Sequence, residues 1–380
     1  MDGIDTDVVD SAGALKLALG QYPHWVAVLD ASISEEVLPD IRQALRAGSV
    51  PTLVLVPPGE AEQVRGDSIL GARDECATKP IESDELAVLV KALMIRSGYQ
   101  PKSDAFRHAA SQANGAPGRL IVVAHAKGGV GASTVATNLA VGLARTGQPR
   151  TLLVDADLWY GDIGVLMDLK PTATIFRAVD TWTGQEFDEW ELRKVPAAHK
   201  SGVSVLMRPD DPALVEQLDM ALAVKAIARY TTLFDFVVVD TAPSLSELTL
   251  DLMDSADEIV LVATSDVSAL HNTRRFLDIA ERVGYLTKIV LVVNRADTGV
   301  STDLVEQHLH VPAAVSLPSA GRLVVDAANR GMPVLYQDQE PDHQFARDLI
   351  RLVEVVAGRT LAPPPPTAKR GIAFWRRGPR

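Results

Sequence analysis

Residues 119–134 read RLIVVAHAKGGVGAST, an apolar run, a glycine-rich turn and the start of a helical pattern. Leu120–Ala124 is a short apolar run rich in β-branched residues, the pattern of a strand buried on both faces. Lys127-Gly128-Gly129-Val130-Gly131-Ala132-Ser133-Thr134 follows it. Val135, Leu139 and Leu143 then recur at helical spacing, with Gly147 as a stop signal. A glycine-rich turn between strand and helix lets backbone N–H groups converge, and the helix N-terminus adds partial positive charge. The segment is therefore suited to cradle phosphate, and Ser133 offers a hydroxyl to magnesium. Two positions depart from the strict GxxxxGK[ST] pattern. Ala126 replaces its first glycine, and Ala132 replaces the lysine that reaches the β- and γ-phosphates.

A glycine-rich turn with no ligand would look the same, so the flanking chain has to decide. Thr151–Val154, Phe236–Val239, Ile259–Ala263 and Ile289–Val293 repeat the buried-strand pattern, with helical stretches between them. Strand then helix, repeated, implies right-handed crossovers and a mostly parallel, doubly wound α/β sheet. Ligands in such sheets bind at the carboxyl ends of the strands. Thr151–Val154 runs into Asp155-Ala156-Asp157, and Phe236–Val239 into Asp240-Thr241-Ala242-Pro243. A carboxylate after a strand is often a helix cap or turn former. Two of them in one sheet with a glycine-rich loop favour a magnesium–nucleotide site.

Composition agrees with a globular chain of two or three domains: 380 residues, 47% apolar and 23% charged. Lys and Arg number 37 against 49 Asp and Glu, a net charge of −12 that argues against a generic nucleic-acid binder. A single cysteine, Cys76, allows no internal disulfide and fits a reducing compartment. Asp2, Asp5, Asp7 and Asp10 make the first residues unlike a secretory signal, and no apolar run approaches the roughly 18 residues that span a bilayer. A cytoplasmic protein is expected. Residues 101–118 are small and polar and read as a linker. Residues 363–366 are four prolines, a stiff spacer before the basic segment TAKRGIAFWRRGPR.

KGGVGAST, the DAD after the second strand and VVVDTAPSL resemble the deviant Walker A, Walker A-prime and Walker B motifs of the MinD/ParA ATPases. The resemblance extends through Val292-Val293-Asn294-Arg295 and a closing segment from Leu317-Pro318 to Pro333-Val334. It covers about residues 119 to 360 and implies a P-loop NTPase domain over 119–361 with ATP and Mg2+ as cofactors. By resemblance, Gly128, Gly129, Val130, Gly131, Ala132, Ser133 and Thr134 cradle the nucleotide. Lys127 is the signature lysine that crosses an ATP-bound homodimer, and Asp157 positions the attacking water. Ser133, Asp155 and Asp240 form the magnesium set. Asn294 contacts adenine or, equally, only forms a strand-end turn. Arg274 and Arg275, where some relatives contact DNA, read rather as a solvated helix face. With Ala132 in place of a lysine, one preorganised charge is missing, which implies slow hydrolysis.

Residues 1–100 show a smaller strand–helix alternation: strands at Trp25–Leu29 and Thr52–Val56, and an amphipathic helix over Asp84–Met94. Asp30, Val50–Leu55 and Lys79-Pro80 resemble the later part of a response-regulator receiver, a flavodoxin-like α/β domain. The acidic pair after a receiver's first strand is missing, and Val56 stands where a hydroxyl is expected, so the domain reads as degenerate. A receiver-like domain joined to a MinD/ParA ATPase is the arrangement of the TadZ/CpaE family, and septum-site-determining proteins look similar. That resemblance implies a spatial organiser working with pilus-secretion or septal machinery. The alternative is a ParA-type DNA partition ATPase, against which the acidic charge counts. Residues 362–380 are a Pro-rich spacer and basic tail, of which Thr367–Arg380 reads as a weak anchor to anionic membrane at the inner face of the pole or septum, or equally as a basic tail that aids solubility or touches a protein partner.

Overall fold

The computed structural model describes residues 7–21, 26–32, 38–60, 74–97, 117–146, 149–336 and 343–358. The linker, apart from its last two residues, and the basic tail lie outside them. No helix among the described residues is long and apolar enough to cross a membrane.

The N-terminal unit is a three-stranded parallel sheet in the order β1 (Ala27–Asp30), β2 (Thr52–Val56), β3 (Glu75–Thr78). Helices Ala12–Gln21, Leu38–Ala47 and Ser83–Arg96 accompany it. Leu53 and Ala77 pack against Leu89, Val90, Leu93 and Met94 of the Ser83–Arg96 helix, while Leu29 packs with Ile41, Leu45 and Val50. Cys76 is buried and forms no disulfide. The Ser83–Arg96 helix is not amphipathic as the sequence suggested. Val88 and Ala92, on its other face, join the core of the large domain. A helix covered on both sides has no polar face to display.

The large domain is an eight-stranded sheet. Its strands are β4 (Arg119–Ala124), β5 (Thr151–Ala156), β6 (Ala197–Ala198), β7 (Ser204–Leu206), β8 (Phe236–Thr241), β9 (Glu258–Thr264), β10 (Ile289–Asn294) and β11 (Ala313–Leu317). The order is β11-β10-β9-β4-β8-β5-β7-β6, parallel throughout except for the β6–β7 edge pair. Along β4, Leu120, Val122 and Ala124 enter the core on one face and Ile121 and Val123 the core on the other. Side chains alternate in a strand, so an unbroken apolar run is what a sheet covered on both faces requires.

From β4 the chain crosses to β5 on one side, while β8 connects to β9 across β4 on the other. Connections that part in this way open a crevice at the carboxyl end of β4, where ligands of such sheets bind. The helix leaving that crevice, Ala132–Ala144, packs against the last described helix, Gln344–Ala357. The approach is so close that a Cβ built on Gly142 would meet Val353 Cγ2 at 2.4 Å. Gly142→Ala is expected to cost about 1–3 kcal/mol through overpacking, outweighing the gain in helix propensity. A thermal melt checks this, and an unchanged midpoint would mean the two helices part easily.

Candidate nucleotide site

The loop after β4 turns on two glycines. Gly129 has φ +78° and Gly131 φ +91°, backbone settings that residues with a Cβ avoid. Gly131 also stands at the start of the Ala132–Ala144 helix, where a Cβ would lie 2.5 Å from Asn294 Nδ2. Three side chains hold the loop from beneath. Asn294 Nδ2 donates to the Val130 carbonyl at 2.8 Å. The Arg295 guanidinium donates to the Gly129 carbonyl. The His125 ring lies between the Lys127 and Thr241 carbonyls, 2.8 and 3.0 Å from its two nitrogens, and so ties the loop to β8. In a trans peptide the C=O and the next N–H point opposite ways. Carbonyls of Lys127, Gly129 and Val130 turned inward therefore turn the N–H groups of Gly128, Val130 and Gly131 outward, toward the crevice.

Beside this cradle lie the carboxylates. Asp155 and Asp240 are register partners on adjacent strands, and both are buried. Burial raises the Asp240 carboxyl to about 7, the charges of Asp157 and Asp162 add to the rise, and the nearby Ser133 hydroxyl offsets part of it. No hydrogen bond of full geometry reaches either Asp240 oxygen. Burial, and then Asp240, push Asp155 well above the ordinary carboxylate range. Asp155 Oδ2 accepts from the Ile163 amide at 3.1 Å, whereas Oδ1 has no partner. A buried carboxylate without partners is expensive to maintain unless a cation completes it. The Asp240–Ser133 pair at the mouth of an amide cradle thus fits magnesium on a polyphosphate. Asp157 caps the next turn, Oδ1 accepting from the Tyr160 amide at 3.1 Å.

All the residues singled out from the sequence for nucleotide and metal binding lie at the carboxyl edge of the sheet or on the loop and first helical turn above it. Asn294 differs from expectation in one respect. Its amide is engaged on both sides, with Oδ1 accepting from the Arg295 N–H at 3.0 Å, so here it braces the loop. Thr134 contributes its carbonyl to the Asn138 side chain, 2.8 Å away. Lys127 Nζ is 2.6 Å from Ser268 Oγ and 3.1 Å from Asp266 Oδ1. The Thr264 hydroxyl first of all, then the Ala269 amide and Lys127, lower Asp266 to about 2. Arg274 does not stand free on a solvated face: it donates to the Leu309 carbonyl at 2.8 Å and pairs with Asp278. Reading the sequence alone missed His125, Arg295, Asp266 and Ser268. The first two adjoin motif residues, whereas nothing local marks the last two as partners of a lysine 139 and 141 positions away.

The ParA family model, described as NUBPL iron-transfer P-loop NTPase, matches residues 117–304. This segment is a P-loop NTPase of the ParA/MinD family. The septum site-determining protein MinD of Thermotoga maritima is 24% identical over 229 residues, 57% of this chain and 81% of that protein. MinD of Bacillus subtilis is 27% identical over 236 residues, 57% of this chain and 82% of its own length. The structure of the Pyrococcus horikoshii septum site-determining protein MinD, solved with Mg-ADP, superposes with a TM-score of 0.54 at 22% identity. It covers 63% of this chain and 95% of that one. That likeness supports the ParA/MinD fold.

Proposed function

We propose that this chain is a nucleotide-switched spatial organiser of the TadZ/CpaE kind. It binds Mg-ATP, dimerises through it, hydrolyses it slowly and positions pilus-secretion or septal machinery. One observation carries the reading: an amide cradle beside a partnerless buried Asp240, with Ala132 where a phosphate-reaching lysine would stand. The outward amides of Gly128, Val130 and Gly131 would orient the polyphosphate. Ser133 and Asp240 would hold magnesium, which supplies charge neutralisation when bound, and Asp155 would support Asp240 from the neighbouring strand. Asp157 would orient water. Lys127 would leave Asp266 and Ser268 for the nucleotide of a second copy. Trp159 and Tyr160, 53% and 84% exposed just beyond Asp157, give such a partner an apolar anchor beside the site. The MinD relatives' names tie them to septum siting, which supports a role in spatial regulation.

The N-terminal unit belongs to this reading as a degenerate receiver. Lys79 Nζ is 2.8 Å from Asp30 Oδ1, and Ser32 adds two further bonds, which together bring the Asp30 carboxyl down to about 2. Val56, fully buried, has no hydroxyl to offer.

Titration calorimetry with Mg-ATP, phosphate release and sedimentation velocity test the proposal together. Binding with turnover well below one per second is expected, and a dimer should form with ATP. Lys127→Ala should lower the dimer fraction more than monomer affinity. Absence of ATP binding, or equal dimer fractions for both proteins, would reject it.

A further inference from the structure

Among the described residues, ion pairs join the N-terminal unit to two helices of the large domain that begin near the nucleotide site. The first is Glu247–Ser255, which begins just after the Asp240 segment and is capped by Ser246. Between its Asp251 and Asp254 lies the Lys91 ammonium of the Ser83–Arg96 helix, at 2.6 and 2.7 Å. Lys91 is largely buried. Burial alone would push it down, but Asp254 and Asp251 outweigh that and hold it above its ordinary value, fully charged. Asp254 also accepts from the Tyr285 hydroxyl, and Lys288 Nζ donates to the Asp254 carbonyl at 2.8 Å.

The second helix is Val267–Arg282. Its first turn holds Lys127 through Asp266 and Ser268. Its last residue, Arg282, pairs with Glu75 of β3 at 2.8 Å, and midway Arg275 faces Glu85 at 3.8 Å. One rigid helix of 16 residues thus has the signature lysine at one end and the N-terminal unit at the other.

Apolar contact alone would serve adhesion. Val88 and Ala92 already enter the large domain's core, and Ile95 packs beside them, a single stripe at helical spacing. Well-packed apolar residues hold as firmly as a buried ion triad, and a triad adds one thing they lack: it is satisfied in one register only. Such a contact discriminates between two positions of a helix, which is what a switch needs.

We propose that the N-terminal unit is a gate acting in cis on Lys127. Docked through Lys91, Glu75 and Glu85, it holds the Val267–Arg282 helix where Asp266 and Ser268 retain the Lys127 amine. Undocking releases that helix and frees Lys127 for the dimer. By linkage, Mg-ATP that recruits Lys127 must loosen the docked unit by the same factor. The gate rests on the reading that Lys127 serves ATP.

The test uses the full chain with Mg-ATP as probe. Hydrogen exchange over residues 83–96 is expected to rise several-fold on adding Mg-ATP, and not to rise in Lys127→Ala. Lys91→Met, which keeps the apolar stem, should lower the ATP concentration for half-maximal dimer by about tenfold. Asp266→Asn, which keeps the helix cap, should do the same. Combining the two should add little, because both release the same Lys127 amine. If Lys91→Met does not fold, Arg282→Gln carries the same expectation at the other end of the interface. Unchanged exchange over 83–96 in a protein that binds Mg-ATP rejects the gate alone, as does wild-type dimerisation of the folded Lys91 or Arg282 variant. Calorimetry showing no Mg-ATP binding rejects the nucleotide reading, and the gate with it.

Discussion

Asp240→Asn is expected to raise the melting temperature of the ligand-free protein at pH 8 while abolishing Mg-ATP hydrolysis. The Asp240 carboxyl sits at about 7 in the folded chain against an ordinary 3.8, chiefly because it is buried. A folded value above the unfolded one contributes stability that is complete below the unfolded value. That contribution is lost as pH rises through the folded one. Ligand-free wild type should therefore weaken between about pH 4 and 8, as Asp240 is forced to ionise without a partner. The amide carries no charge and escapes that loss. Relieving ~1–3 kcal/mol of unpaired burial shifts a domain of this size by roughly 2–4 °C per kcal/mol. The two proteins should converge toward pH 4. Saturating Mg-ATP should reverse the ranking, because only the carboxylate completes a cation site. Melts from pH 4 to 8, with and without Mg-ATP, decide it: an Asn variant less stable than wild type at pH 8 without ligand would show that Asp240 already has a partner.

Ala132→Lys should accelerate hydrolysis by about 10²-fold. Ala132 is the first residue of the helix that Gly131 caps, the place from which a lysine reaches the transferring phosphoryl. One preorganised charge at that position is worth on the order of 10² to 10³ in rate. Ala132 is buried, so the new side chain must run its stem along the loop before its ammonium meets solvent or phosphate. Measuring ATP affinity alongside phosphate release separates a displaced loop, which binds less, from a restored contact, which turns over faster. Unaltered turnover with intact binding would place the slow step in assembly or release instead of chemistry.

The large sheet was legible because its strands are buried on both faces and therefore read as unbroken β-branched runs. Each predicted run was recovered, and several extend further. β5 continues through Asp155-Ala156 and β8 through Asp240-Thr241, since backbone pairing proceeds past the last apolar side chain. These extensions bring Asp155 and Asp240 into register, which no count of apolar residues reveals. β6 and β7 went unread: Ala197–Ala198 and Ser204–Leu206 are too short to show a period. β1 is Ala27–Asp30, whereas Trp25, the predicted start of that strand, lies outside the described residues. At the site, the loop and its acids were visible as motifs. The hold on Lys127 was not, because Asp266 looks like an ordinary cap and does cap its helix, accepting from Ala269 at 3.0 Å. Lys91 was equally silent. Its partners lie 160 and 163 residues away, and only the fold puts a lysine from one unit between two acids of another.

The packing of Ala132–Ala144 against Gln344–Ala357 sets an order on biosynthesis. Leu139, Val141 and Leu143 of the loop helix share a core with Leu349, Leu352, Val353 and Val356. Roughly 200 residues separate the two helices, so at about 5–20 residues per second the apolar face of the first stays uncovered for some 10–40 s of translation. The nucleotide loop therefore emerges from the ribosome well before the helix that supports it. Until residues 344–357 are made, the apolar face of the loop helix lacks the side chains that cover it, so a fragment ending before residue 344 exposes that face.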